Sequence, residues 1–236
     1  MKTSYRISRT RGFTLVEILA VIAILGILMA LVASQAPVAF RKVNQMRAKS
    51  QLRDIVATAK GYGKPITATK AGGKTVGDYA SVLAEAGLKK GSTWYLSGDL
   101  VEANGNIPES VLENGTNKIK EVKPAGWAVV FNARKRGVEG TADHPYPLAW
   151  TRGLQVGGSW NENSGPWGKE GGHVGYGDGA VEWYTSLDGD DEKGVLFKYG
   201  NSKDERTKSY QEAIQGTVTS SSGENPEAIE DQASAN

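Results

Sequence analysis

The 21 residues from Phe13 to Ala33 include only two conspicuously polar side chains, Thr14 and Glu17. About 20 apolar residues are enough to cross the hydrocarbon core of a bilayer. The run therefore reads as a membrane span and disfavours a purely cytosolic globular protein. Lys2, Arg6, Arg9 and Arg11 precede it without a single acid. A basic start before an apolar run is also the pattern of a secretory signal. Signal cores run only about 7–15 residues, however, and end at a small-x-small cleavage site. Here the run is longer and continues as Ala36-Pro37-Val38-Ala39-Phe40-Arg41-Lys42. Arg41, Lys42, Arg47 and Lys49 balance the four cations before the span, so the charge rule leaves its orientation open.

Composition narrows the chemistry. Cysteine is absent, which excludes disulfides, thiolate metal sites, cysteine nucleophiles and iron–sulfur clusters. A formal net charge of +2 argues against a nucleic-acid binder that depends on a strongly basic surface.

Glu17 is the informative residue inside the span. A carboxylate in hydrocarbon costs about 2.5–3.5 kcal/mol even on lenient insertion scales unless it is neutralised or paired. Two readings stand side by side. The carboxyl is protonated or snorkels at the membrane edge, or it pairs with a nearby terminal amine.

The stretch Arg11-Gly12-Phe13-Thr14-Leu15-Val16-Glu17 closely resembles the processing site of type IV pilins and type II secretion pseudopilins. The resemblance covers about the first 45 residues and implies a specific chemistry. A prepilin peptidase cuts after Gly12. Phe13 becomes the N-terminus and is N-methylated. Glu17 then pairs with the Phe13 amine of a neighbouring subunit as a filament assembles. Cleavage after Gly12 would place a positive amine four residues before Glu17, about one helical turn away. That pairing would satisfy both groups within the membrane.

Val43, Met46, Leu52, Ile55, Val56 and Ala59 continue an apolar stripe at near-helical period. A helix from Phe13 to about Tyr62 would span roughly 75 Å, ending at Gly61, Gly63 and Pro65. Gly26 and Pro37 are expected to break it, through poor propensity and a missing donor respectively. The resemblance associates such breakers with local melting inside a filament. A plain kink near the membrane surface is the other reading.

Beyond residue 62 the chain is rich in glycine and turns. A helix is expected over Val76–Ala86, since Thr75 and Asp78 have capping-box spacing. A short helix is expected over Ile107–Leu112 before the Asn114-Gly115 turn. Trp127–Phe131 and Leu148–Thr151 read as strands. The clearest hairpin joins His173–Tyr176 to Ala180–Tyr184 through Asp178-Gly179. A long helix against a small antiparallel sheet is an α+β layer architecture. Residues 171–183 resemble the C-terminal motif of a pseudopilin-like group, in which a His precedes an Asp-Gly turn. The chain departs from that motif, because Gly168 stands where the His belongs and His173 lies closer to the turn.

Other sites were weighed residue by residue. Asp143 and His144 are adjacent, but neighbouring side chains of an extended chain point opposite ways, so they do not form a dyad. No phosphate loop, nucleophile elbow or His-Glu-x-x-His motif is present, and no enzymatic activity is expected. Ser186-Leu187-Asp188-Gly189 resembles a shortened form of the calcium loop of major pseudopilins. Asp188 and Asp190 are thus candidate calcium ligands, set against a simple solvated acidic turn. No other cofactor is indicated. Trp160 and Trp167 bracket a loop-like Asn-Glu-Asn-Ser-Gly-Pro stretch, where exposed rings would contact a partner or glycan and buried ones would be core.

The expected domains are a leader (1–12), a membrane and filament-core helix (13–62), a periplasmic α+β domain (63–199) and a polar, flexible tail (200–236), with a short helix around Tyr210–Ile214 left open. The fold expected from the resemblance is type IV pilin-like. It implies a structural subunit, foremost of a type II secretion pseudopilus, with a single pass through the bacterial inner membrane before assembly. Its partners would be like and unlike pilin-type subunits, the prepilin peptidase, and an assembly ATPase with its platform protein. No nucleic-acid partner is expected. The alternatives are a surface pilin for adhesion, DNA uptake or motility, and a membrane-anchored ligand-binding module. Removing the four leader cations would turn the side-chain total from +2 to −2, so the basic bias belongs to the leader.

Overall fold

The computed structural model describes residues 13–133, 145–190, 192–200 and 205–220. The chain forms two compact units, one ending at Val43 and the other beginning at Asn44. One helix, α1, runs Leu15–Tyr62.

The first unit is α1 up to Val43. Its Leu, Ile, Met and Ala residues are good or adequate helix formers. None of the span Leu15–Ala33 is buried within the protein. α1 is helical through Gly26 and Pro37, so neither residue ends it in the single subunit. The physical reason is one of scale. A glycine costs about 1 kcal/mol and a proline about 3 kcal/mol in a helix interior. A helix of 48 residues tolerates one of each.

From Asn44 onward α1 becomes one-sided. Ala48, Leu52, Ile55, Val56 and Ala59 are buried, whereas Arg53, Asp54, Ala57 and Lys60 are exposed. Two shorter helices follow, α2 (Ala68–Ala71) and α3 (Val76–Glu85). The expected capping box starts α3. The Thr75 hydroxyl accepts from the Asp78 amide, and the Asp78 carboxylate accepts from the Thr75 amide.

The helix expected over Ile107–Leu112 does not form. Its backbone groups bond across the chain instead. Glu109 O accepts from the Gly91 amide, and the Val111 amide donates to Lys89 O. Two short strands, β1 (Leu112–Glu113) and β2 (Thr116–Asn117), form a hairpin around Asn114-Gly115.

The remaining elements are β3 (Trp127–Phe131), β4 (Pro147–Thr151), β5 (Gly172–Tyr176), β6 (Val181–Tyr184), β7 (Leu196–Phe197), β8 (Arg206–Thr207), α4 (Tyr210–Ala213) and β9 (Thr217–Thr219). The main sheet is antiparallel with order β6-β5-β4-β3-β9. Strands β7 and β8 pair separately. The β5–β6 turn is the expected one. Gly179 takes φ 99°, and Asp178 Oδ1 accepts from the Ala180 amide at 2.9 Å.

Register sorts the two sheet faces, because directly opposed residues point the same way. Val129, Ala149, Gly175 and Val181 are in line across the four long strands. This face receives α1. A Cβ on Gly175 would lie 2.7 Å from Val56 Cγ1, so glycine there lets the helix approach. Trp150 and Val174 face the other way, and the Tyr210 ring of α4 lies 5.1 Å from that of Trp150.

Residues 205–220 correct the expected tail. They supply β8, α4 and β9 rather than a coreless polar segment. Tyr210 and Ala213 are buried, and Val218 pairs with Val130. A Thr-Val-Thr run needs few large apolar residues, because sheet pairing supplies its stability.

Candidate functional site

The site with the most specific sequence signal lies at the head of α1. Thr14 and Glu17 form a reciprocal cap. Glu17 Oε2 accepts from the Thr14 amide at 2.8 Å and from the Thr14 hydroxyl at 2.9 Å. The Glu17 amide donates back to Thr14 Oγ1 at 3.2 Å. This arrangement satisfies amides that the first helical turn leaves without partners. It also fixes the carboxylate one turn from Phe13, whose side chain is 83% exposed. The sequence pattern singled out Glu17, but it did not show that Thr14 holds it within the same chain. Gly12 lies outside the described residues.

The exposed apolar surface behind this cap is the second part of the site. Ile18, Leu25, Met29 and Val32 are each at least half exposed. A continuous apolar surface of this length requires lipid or other helices to cover it.

In the acidic turn after β6 the Asp188 carboxylate is already engaged within the chain. Asp188 Oδ2 accepts from the Ser186 hydroxyl at 2.8 Å, and Oδ1 pairs with Lys208 Nζ at 3.1 Å. That hydrogen bond and the lysine ammonium hold the Asp188 carboxyl below its usual range. Asp190 is exposed and borders an open cleft of about 760 Å3 that Arg206 also lines. Among the described residues, no three His, Cys, Asp or Glu side chains cluster as a metal site would require. A hard cation needs six to eight oxygens, whereas here ammonium and guanidinium groups occupy the neighbourhood. Adding calcium or a chelator is expected to leave the thermal unfolding midpoint of the full-length protein unchanged, as scanning calorimetry would show. A fragment for such work must begin at Asn44, because Leu52, Ile55 and Val56 are part of the core.

The two bracketing tryptophans are core residues, not an exposed recognition loop. Trp160 and Trp167 are only 2% and 5% exposed. Trp160 Nε1 donates to Thr151 Oγ1 at 3.1 Å. Trp167 packs edge-on against His173, with ring centroids 5.9 Å apart. The polar residues between them cap their own turn, since Asn161 Oδ1 accepts from the amides of Asn163 and Ser164.

His173 itself is buried between Trp167 and Trp183. Burial first, and the Lys49 cation second, push its imidazole down to about 4. The ring is therefore neutral at ordinary pH. It is not a base poised near neutrality. Asp143 and His144 lie outside the described residues.

Sequence reading missed one buried ion pair. The Arg152 guanidinium holds both Asp99 carboxylate oxygens, at 2.7 and 3.0 Å. It also donates to the carbonyls of Ser164 and Ala125. One side chain thus ties the end of β4 to three loops. The separation of 53 positions between the partners leaves no local signal by which to find the pair.

Comparison with known proteins touches the head of α1. Residues 7–33 match the family model described as the prokaryotic N-terminal methylation motif. No curated protein and no solved structure matches the chain. The chain thus carries a prepilin-type methylation motif at the start of a long apolar helix. A small antiparallel sheet domain follows, and the whole has an α+β, pilin-like layout.

Proposed function

We propose that the chain is a structural, non-enzymatic subunit of a pilin-type filament, foremost a type II secretion pseudopilus. The supporting observation is the conjunction at the head of α1. The methylation motif opens a helix whose apolar residues are exposed on every side. On this reading prepilin peptidase removes residues 1–12, and Phe13 becomes a methylated amine. The protein waits in the inner membrane with the unit from Asn44 onward in the periplasm. An assembly ATPase, acting through its platform protein, then draws it into a filament of like and unlike subunits.

The chemistry of assembly follows from charge. The Phe13 amine is positive, and Glu17 is already turned toward the start of the helix by Thr14. Exchanging a Thr14 contact for a neighbour's amine replaces a hydrogen bond from a neutral donor by an ion pair, which neutralises both charges within the membrane. That gain is available only when two subunits meet in one axial register. Local loosening of α1 at Gly26 and Pro37 would be a feature of the filament, not of the single subunit.

Mass spectrometry of the membrane-extracted protein tests the processing step. A methylated Phe13 N-terminus is expected, and an intact Met1 would defeat the reading. Glu17→Ala is expected to insert normally and to lose filament assembly by at least tenfold, as measured by sheared-filament yield. Wild-type assembly of that variant would remove Glu17 from the mechanism.

A further inference from the structure

We propose that residues 38–43 of α1 form a collar that binds the headgroups of anionic phospholipids. This inference rests on reading Leu15–Ala33 as a membrane span, and it is independent of filament assembly.

The first support is charge. No acidic residue occurs between Glu17 and Asp54, while Arg41 and Lys42 are exposed on the helix surface. The second is exposed apolar area flanking those charges. Val38 is 55% exposed, Phe40 69% and Val43 45%. An aromatic ring beside cations, just past a span, is the composition of a membrane interface.

Depth is the third support. Arg41 follows the last residue of the span by eight positions, about 12 Å along a helix axis. The headgroup layer extends about 5–8 Å beyond the hydrocarbon on each side. Side chains on a helix tilt toward its N-terminus, which here is the membrane side. An extended arginine or lysine at this position therefore brings its charge back to the phosphate level.

Direction around the axis decides the mode of binding. Successive helical residues point about 100° apart, so Phe40, Arg41, Lys42 and Val43 face four different sides. A helix lying flat on a membrane would gather its cations along one edge of an apolar face. Arg41 and Lys42, about 100° apart around the axis, can each meet a phosphate on its own side of a helix that passes through the headgroup layer. The occupant is thus an anionic lipid headgroup in the leaflet that α1 leaves.

The test uses the full-length protein in detergent, offered equal amounts of phosphatidylglycerol and phosphatidylcholine and examined by native mass spectrometry. Each cation near an anionic surface gives about a five-fold preference, so two give roughly 30-fold at low salt. Wild-type protein is expected to retain phosphatidylglycerol preferentially, and Arg41→Gln/Lys42→Gln to lose that preference by about this factor. The charge-keeping Arg41→Lys/Lys42→Arg and the distant Lys89→Gln/Lys90→Gln are expected to behave like wild type. Equal lipid retention by wild type and Arg41→Gln/Lys42→Gln would overturn the proposal. So would loss of the preference in the charge-keeping pair. These variants leave Gly12, Phe13 and Glu17 unchanged, so N-terminal processing reports on the subunit reading separately.

Discussion

Arg152→Ala is expected to lower the melting temperature of the detergent-solubilised protein by roughly 6–20 °C. Breaking a buried ion pair by removing one partner costs about 3–5 kcal/mol, and each kcal/mol shifts a unit of this size by about 2–4 °C. The side chains of Arg152 and Asp99 are 6% and 10% exposed. Burial pushes the Asp99 carboxyl up and the Arg152 guanidinium down, in each case against the pull of the partner. The pair is thus costly to bury and costlier to break. Its other bonds raise the stake, since Arg152 also satisfies the carbonyls of Ser164 and Ala125. The double replacement Asp99→Leu/Arg152→Met should cost less than Arg152→Ala alone, because it leaves no charge stranded. Additive losses in thermal melts followed by tryptophan fluorescence would show that the two side chains act separately.

Acid should weaken the globular unit through His173. The folded imidazole titrates near 4, against an ordinary value of 6.5. The unfolded chain takes up this proton as pH falls through 6.5, whereas the folded chain does not until about 4. Stability is therefore fully present above 6.5 and declines below it, by about 1.4 kcal/mol per pH unit. Over the whole window the loss reaches roughly 3 kcal/mol. His173→Phe keeps an aromatic ring between Trp167 and Trp183 and removes the titration. Melting temperatures from pH 7.5 to 4.5 should fall less steeply for that variant. Parallel slopes would show that the buried imidazole is not the group responsible.

Legibility from sequence depended on how local each signal was. Thr75 with Asp78, the Trp127–Phe131 run, and Asp178-Gly179 between β-prone segments all act within a few residues. Those three features stand in the fold as read. Signals that depend on distant partners failed. Ile107–Leu112 has helical spacing, yet its backbone bonds to residues 89–91. Thr217–Thr219 looks polar in isolation, yet it gains a place in the sheet because β3 offers an unpaired edge. Trp160 and Trp167 flank a polar stretch, but the stretch caps itself and leaves both rings inside. At the head of α1 the motif named Glu17 directly, while its local tether to Thr14 emerged only with coordinates.

The pairing of β9 with β3 sets an order for folding. Val129 meets Thr219, so the sheet cannot close until a segment 90 residues further along the chain has arrived. If the chain is threaded across a membrane from its N-terminal side, Trp127–Phe131 emerges long before its partner. In that interval an apolar strand edge stands open, a template for pairing with the wrong chain. On that route the domain is expected to become resistant to proteases only once residue 219 has been delivered. A stalled chain truncated before β9 should be cleared rather than stored.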